Sequence, residues 1–206
     1  MFRTVAAVLL AATPLAAVAA QGWSTVRNNG EPMVDGSGRI VRQNRPVGNF
    51  DRLELKGLAD VEVRLGASPS LSIQADHNLL PHLTSDVRGG TLVLGTRGSF
   101  RTRTTPRVWV TVPDLRMVES RGSGDVTIAG VSNRSLRLVS QGSGNLRASG
   151  RTEELEVTIQ GSGDAEMRGL AAGKIKVAIQ GSGNATVQTN GALDAAVYGS
   201  GTVRYG

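Results

Sequence analysis

Arginine residues are concentrated in one short segment of the chain, residues 97–107, which has the sequence RGSFRTRTTPR. No acidic residue lies between Asp86 and Asp114. The guanidinium group is a planar fork that suits carboxylate and phosphate groups. The segment is therefore a candidate binding loop for anions such as uronic-acid polymers or lipopolysaccharide phosphates, and a solvated basic turn without a ligand is the alternative. The candidate binding residues are Arg97, Arg101, Arg103 and Arg107.

Carboxylates and histidines give weaker indications of chemistry. Asp125 and Asp164 are expected two strand spacings apart, about 9.6 Å, which is near the upper end of the ~6.5–9.5 Å used by inverting glycosidases. Both belong to a repeated turn that offers one Asp or Asn each time, which favours a structural role over catalysis or calcium binding. His77 and His82 flank Pro81, which hinders placing both on one helix face. We therefore expect no catalytic residue, no metal site and no cofactor.

The tripeptide GSG recurs five times between residues 122 and 201, at intervals of 18 to 20 residues. A serine repeated in this way indicates a turn rather than a nucleophile, and no G-x-S-x-G elbow is present. Glycines supply the positive φ or the close backbone approach that a tight corner needs. The expected turn glycines are Gly122, Gly124, Gly142, Gly144, Gly161, Gly163, Gly181, Gly183, Gly199 and Gly201.

Alternating apolar residues on both sides of each GSG indicate strands with one buried face. Outward positions alternate in charge from one repeat to the next, which indicates parallel, in-register stacking. These outward residues are Arg137, Glu156, Lys176 and Asp194. The position after each GSG is expected to form a structural ladder in which Asn separates neighbouring carboxylates. Its members are Asp125, Asn145, Asp164 and Asn184.

The pattern as a whole predicts an all-β fold, a single-stranded parallel β-solenoid with right-handed coiling preferred. Each rung of about 20 residues would contain two short strands with GSG at the corners. Residues 49–206 would form the solenoid, with regular rungs from about residue 115, and residues 21–48 a flexible or capping lead-in.

The first twenty residues have the features of a secretory signal peptide. Arg3 provides the positive charge, an apolar run starts at Val5, and Ala17 and Ala19 form a small-residue cleavage site. No later stretch is long and apolar enough for a membrane helix. We therefore expect an exported protein, periplasmic or extracellular. The net charge of +6 favours anionic partners weakly, whereas export disfavours nucleic acid.

Several longer segments resemble the auto-transporter adhesin head GIN domain of bacterial exported proteins. They are RPVGNFDRLELKGLADVEVRLG, LSIQADHNLLPHL, VRGGTLVLG and VWVTVPDLRMVESRGSGDV, followed by the GSG repeats, so the resemblance covers roughly residues 45–206. It implies a β-helix with GSG corners, similar in shape to pectin-lyase-like proteins but without known catalytic residues.

These observations favour a non-catalytic, adhesion-related interaction module of the cell envelope. It would bind glycans or another envelope protein along its faces. A polysaccharide-active lyase or glycosidase and a purely structural envelope protein are the alternatives. The last rung would expose unpaired backbone groups. Either Tyr198 and Tyr205 cover these groups, or a second copy of the chain pairs with them and a weak homo-oligomer forms.

Overall fold

The computed structural model describes residues 27–28 and 31–206, so the expected signal peptide lies outside the described residues. Their regular structure is β apart from a 3-10 turn at Leu80–His82. The strands are β1 (Arg27–Asn28), β2 (Glu31–Pro32), β3 (Val34–Asp35), β4 (Ile40–Arg45), β5 (Arg52–Leu55), β6 (Asp60–Leu65), β7 (Ser70–Asp76), β8 (Leu83–Arg88), β9 (Thr91–Thr96), β10 (Phe100–Arg101), β11 (Arg107–Val112), β12 (Met117–Ser120), β13 (Val126–Ser140), β14 (Leu146–Ile159), β15 (Ala165–Ile179), β16 (Ala185–Val197) and β17 (Val203–Tyr205).

Thirteen of these strands form one sheet of mixed parallel and antiparallel pairs, curled into a half-barrel. The prediction of an all-β chain is confirmed, but the prediction of a single-stranded parallel solenoid is wrong. β4 pairs with β7, β7 with β11, and β8 with β9, all antiparallel. The β8–β9 pair is a hairpin because Gly89 and Gly90 adopt the positive φ values, 55° and 77°, that a two-residue turn requires.

The prediction of two short strands per repeat is also wrong. β13 to β16 are single strands of 13 to 15 residues. Each bends at an irregularity in its pairing, as between Ile128 and Val131 of β13. A bulge lets one strand change direction and continue pairing after the bend, so a second turn is not needed.

The sheet has two walls that share one apolar core. The first wall runs β8-β9-β5-β12 and continues through the second halves of β13 to β16. The second wall runs β4-β7-β11-β6, continues through the first halves of β13 to β16, and reaches β17. Inward residues such as Leu138, Val157 and Val177 are buried, and each contributes about 1.5–3 kcal/mol by leaving water.

Pairing in the last repeats aligns Arg137 with Glu156, Glu156 with Lys176, and Lys176 with Asp194. This is the register that the alternation of outward charges predicts. At the inward position nearest the turn, Ser120 and Ser140 are fully buried, and their hydroxyls have no hydrogen-bond partner among the described residues.

The GSG segments lie between the walls, stacked on one another. The Ser143 N–H donates to the Gly122 carbonyl oxygen at 3.2 Å, and the Ser162 N–H donates to that of Gly142 at 3.1 Å. A Cβ added to Gly142 would overlap the Gly122 carbonyl oxygen. Close backbone approach, and not positive φ, is therefore the main requirement for glycine at this position.

Within the described part of the chain, no helix has the length and apolarity needed to cross a membrane.

Candidate functional site

The arginine segment connects β9 to β11, and its four arginines are exposed but do not converge on one site. Arg101 and Arg103 line a cleft of about 440 Å³. Asp35 and Asp76 line the same cleft, and Arg101 Nη1 lies 3.9 Å from Asp35 Oδ1. The charges of this cleft are therefore balanced, and Arg97 and Arg107 are not part of its lining.

Asp76 holds the loop at residues 36–38, which also lines this cleft. Its side chain is almost fully buried and accepts hydrogen bonds from the Gly38 N–H at 2.6 Å and from the Thr102 hydroxyl at 2.8 Å. His82 Nδ1 lies 3.0 Å from the Arg97 carbonyl oxygen, whereas His77 is exposed. Among the described residues, no group of three or more His, Cys, Asp or Glu could hold a metal ion.

The ladder residues lie at one end of the stacked turns, where each Asp or Asn side chain accepts a hydrogen bond from the next rung. We call these residues the polar ladder. It has two more members than the four that the sequence predicts. Its members are Asp60, Asp125, Asn145, Asp164, Asn184 and Thr202, and each Oδ1 accepts from the backbone N–H of the following member at 2.8 to 3.1 Å. Aligning GLAD (57–60) with GSGD (122–125) would have identified Asp60 from sequence.

The carboxylates of the polar ladder are engaged by structural donors. Asn145 donates to Asp125 Oδ1 through its N–H at 2.9 Å and its Nδ2 at 3.1 Å, and Arg147 Nη1 lies 3.2 Å from Asp125 Oδ2. Burial alone would raise the pKa of Asp125, but these hydrogen bonds and the Arg147 charge outweigh it and lower the pKa below its ordinary value. A carboxylate held in its charged form in this way stabilises a turn and is a poor general acid.

A second cleft lies on the outer face of the second wall. Trp109 projects outward from β11, with Ser72 of β7 on one side and Glu62 of β6 on the other. The Arg42 guanidinium carbon lies 4.1 Å from the centroid of the Trp109 ring, and Trp109 Nε1 donates to Glu62 Oε2 at 3.1 Å. We call this site, of about 810 Å³, the tryptophan cleft. Its lining includes Arg42, Arg45, Arg64, Glu62, Ser72 and Trp109.

The three arginines of the tryptophan cleft have different roles. Arg45 is tied to backbone, because its Nη1 donates to the Leu83 carbonyl at 2.6 Å and its Nη2 to that of Leu80 at 2.7 Å. Burial lowers the pKa of Arg45, although an arginine stays charged in proteins. Arg64 Nη2 lies 4.0 Å from Glu62 Oε2 and is largely exposed. Only the Arg42 guanidinium is stacked on the ring.

Reasoning from the sequence missed the tryptophan cleft. One signal was available: in RVWVTV, the valines face inward and Trp109 therefore faces out, in a chain with two Trp among 206 residues. Arg42 has no such signal, because it lies in residues 21–48, which the sequence predicts to be a flexible or capping lead-in. That stretch contains β4, which pairs with β7 over its whole length.

Comparison with known families finds a match, over residues 49–206, to the family described as "Putative auto-transporter adhesin, head GIN domain". Among solved structures, the fold is similar to that of a "putative adhesin" from Bacteroides fragilis, with a TM-score of 0.63, 17% identity and coverage of 84% of this chain and 99% of that one. It is also similar to a "Putative lipid binding protein" from Parabacteroides distasonis, with a TM-score of 0.57, 20% identity and the same coverage of both chains. At these identities the likeness shows the fold alone. Comparison with curated proteins gives no match.

Proposed function

This chain belongs to the auto-transporter adhesin head GIN domain family, and on that premise we propose that it is an exported, non-catalytic binding module of the cell envelope. Its role would be adhesion-related, and its partner a glycan bound at the tryptophan cleft. The observation that carries the proposal is the outward Trp109 in a cleft of about 810 Å³. Ligand sites typically have volumes of about 300–1,000 Å³ and combine aromatic surface with a few polar groups.

The lining of the tryptophan cleft supports binding more than catalysis. A glycosidase needs two carboxyl groups that face one ligand. Glu62 is the one acidic residue in the described lining, and it already accepts a hydrogen bond from Trp109. Asp125 and Asp164, the other acidic pair of interest, accept hydrogen bonds within the polar ladder.

The division of the chain belongs to the same proposal. We place a signal peptide at residues 1–20 and the binding domain at 49–206. Residues 21–48 precede this domain, and within them β4 would take part in binding, because it supplies Arg42 and Arg45 to the tryptophan cleft.

A glycan array tests this function, with acidic polysaccharides and lipopolysaccharide included, at low and moderate salt. We expect the parent chain to bind and Trp109→Ser to lose binding. Tyr205→Ser, which removes an exposed aromatic residue far along the sheet on β17, is the matched control and should bind as the parent does. Failure of the parent to bind any glycan would refute a glycan partner.

The arginine segment remains a second candidate for the same partner. A variant with serine at Arg97, Arg101, Arg103 and Arg107 separates the two sites. Lost binding in this variant, with normal binding by Trp109→Ser, would move the site from the tryptophan cleft to the arginine segment.

We also propose weak self-association at the open edge of β16. Among the described residues, the second half of β16 pairs only with β15, since β17 pairs with Ala185 to Val187. Val197 and Tyr198 are exposed there, and an unpaired edge is a template for another strand. Sedimentation equilibrium should show a concentration-dependent mass that Val197→Lys lowers. A constant single-chain mass would contradict the proposal.

A further inference from the structure

We propose that the tryptophan cleft selects saccharides that carry a carboxylate and that Arg42 binds this carboxylate. The inference rests on the proposed function and goes further, because it names the chemical class of the ligand and the residue that recognises it.

Two contacts fix the Arg42 side chain. Its guanidinium lies over the Trp109 ring, at 4.1 Å from the centroid, and its Nε donates to Ser72 Oγ at 2.8 Å. Ser72 is only 7% exposed, so the anchor is protected from water. Stacking uses the face of the guanidinium and the Ser72 contact uses Nε, which leaves the two terminal nitrogens. No hydrogen bond or ion pair of these nitrogens is seen among the described residues.

Trp109 is itself held in place. β11 lies between β6 and β7, and the indole N–H donates to Glu62 Oε2 at 3.1 Å. The ring is therefore a fixed platform for Arg42. An arginine whose rotamers are already restricted loses less entropy when it binds a ligand, and its planar fork matches the two oxygens of a carboxylate.

The cleft suits a carboxylate, a singly charged group with two oxygens, at Arg42. Three arginines and one glutamate line it, a balance of +2. Arg45 is engaged by carbonyls and Arg64 is largely exposed beside Glu62. Arg42 is therefore the one of the three that is held over the ring and still has two terminal nitrogens to offer. A phosphate dianion would need more donors than one fork supplies.

Neighbouring polar residues suit a sugar ring. Asn44, Ser70 and Thr111 line the same cleft, and their amide and hydroxyl groups both donate and accept hydrogen bonds, as sugar hydroxyls do. Carboxylate recognition by Arg42 and hydroxyl recognition by these groups together define an acidic saccharide.

The test is a binding titration with trigalacturonate, with maltotriose as the neutral saccharide and inorganic phosphate as the other anion. In a Trp23→Phe background, Trp109 is the one remaining tryptophan, so its fluorescence reports occupancy of the cleft. Calorimetry is used for the Arg42 variants, because loss of the stacked cation changes the Trp109 emission itself.

We expect trigalacturonate to bind the parent and to bind Arg42→Gln and Arg42→Lys at least tenfold more weakly. Arg42→Lys keeps the charge and removes the planar fork. Arg134→Gln is the control, since it removes one exposed positive charge outside the cleft and should change affinity less than twofold. Thermal midpoints establish that each variant is folded.

Four results would overturn the inference: parent-like affinity in Arg42→Lys or Arg42→Gln, equal affinity for maltotriose, equal affinity for phosphate, or no binding of trigalacturonate. The glycan array separates these from failure of the proposed function. If the parent binds array glycans, Trp109→Ser does not, and Arg42→Gln binds normally, the proposed function stands and the carboxylate assignment falls. If the parent binds no glycan, the proposed function falls as well.

Discussion

The polar ladder gives the sharpest prediction about stability, which concerns Asn145→Asp. Asn145 lies between Asp125 and Asp164 and donates its Nδ2–H to Asp125 Oδ1 at 3.1 Å, while its own Oδ1 accepts the Asp164 N–H at 3.0 Å. The substitution keeps the shape and the second hydrogen bond. It removes the first and places a third carboxylate in the row.

The size of the effect follows from these distances. Two unit charges 4 Å apart repel by about 1 kcal/mol in water and about 4 kcal/mol at an effective dielectric constant near 20. The Asp125 side chain is 39% exposed, so we take about 1–2 kcal/mol for that pair and about 1 kcal/mol for Asp164, one strand spacing away. Loss of the hydrogen bond adds about 1 kcal/mol. We expect the free energy of unfolding to fall by about 3–4 kcal/mol at neutral pH.

The pH dependence distinguishes charge repulsion from a change in packing. In the parent, the lowered pKa of Asp125 contributes stability above the unfolded pKa of about 3.9, and this stability is lost as the pH falls through the folded pKa. In the variant, like charges raise the pKa values in the folded state. The penalty is therefore absent below about pH 4 and develops as the pH rises through the raised pKa.

Urea unfolding followed by circular dichroism measures the free energy of unfolding of the parent and the variant at neutral and at acidic pH. Asn184→Asp is the matched control, since Asn184 makes the same contacts to Asp164 but has Thr202 on its other side. It should cost about 2 kcal/mol, because it loses the equivalent hydrogen bond but has only one adjacent carboxylate. A penalty that is equal in the two variants, or unchanged between neutral and acidic pH, would refute the charge-repulsion argument.

Three further substitutions test other parts of the fold by the same unfolding measurement. Gly142→Ala should lower the free energy of unfolding by about 2–4 kcal/mol, since the new methyl overlaps the Gly122 carbonyl. Gly48→Ala is its control, because there is open space around Gly48, and it should change the free energy of unfolding by less than about 0.5 kcal/mol. Similar losses in both variants would contradict the stacking requirement. Ser140→Ala removes a buried hydroxyl that has no partner among the described residues, so we expect no loss and a gain of up to about 1 kcal/mol; a clear loss would mean that this hydroxyl is hydrogen-bonded. Glu156→Lys breaks the 3.6 Å pair with Arg137 and adds a cation beside Lys176, which should cost up to about 1 kcal/mol at low salt and less at high salt. An equal cost at both salt concentrations would argue against an electrostatic cause.

The sequence by itself determined the features that depend on neighbouring repeats. The spacing of GSG and the alternation of Arg137, Glu156 and Lys176 indicate the pairing register of the last strands, because equivalent residues of successive repeats lie side by side. Alternation of apolar and polar residues likewise indicates which side chains are buried. The position after each GSG locates most of the polar ladder, for the same local reason.

Only the tertiary structure decided the mixed sheet and the tryptophan cleft. β11 pairs with β6 in parallel and with β7 antiparallel, and β4 lies beyond β7. The spacing of residues within one segment does not predict this order of strands. That order brings together Arg42, Ser72 and Trp109, which are at least 30 residues apart in the chain. Contacts between such distant residues depend on which whole strands pair with each other around the core, and the sequence pattern of a single strand does not determine that pairing.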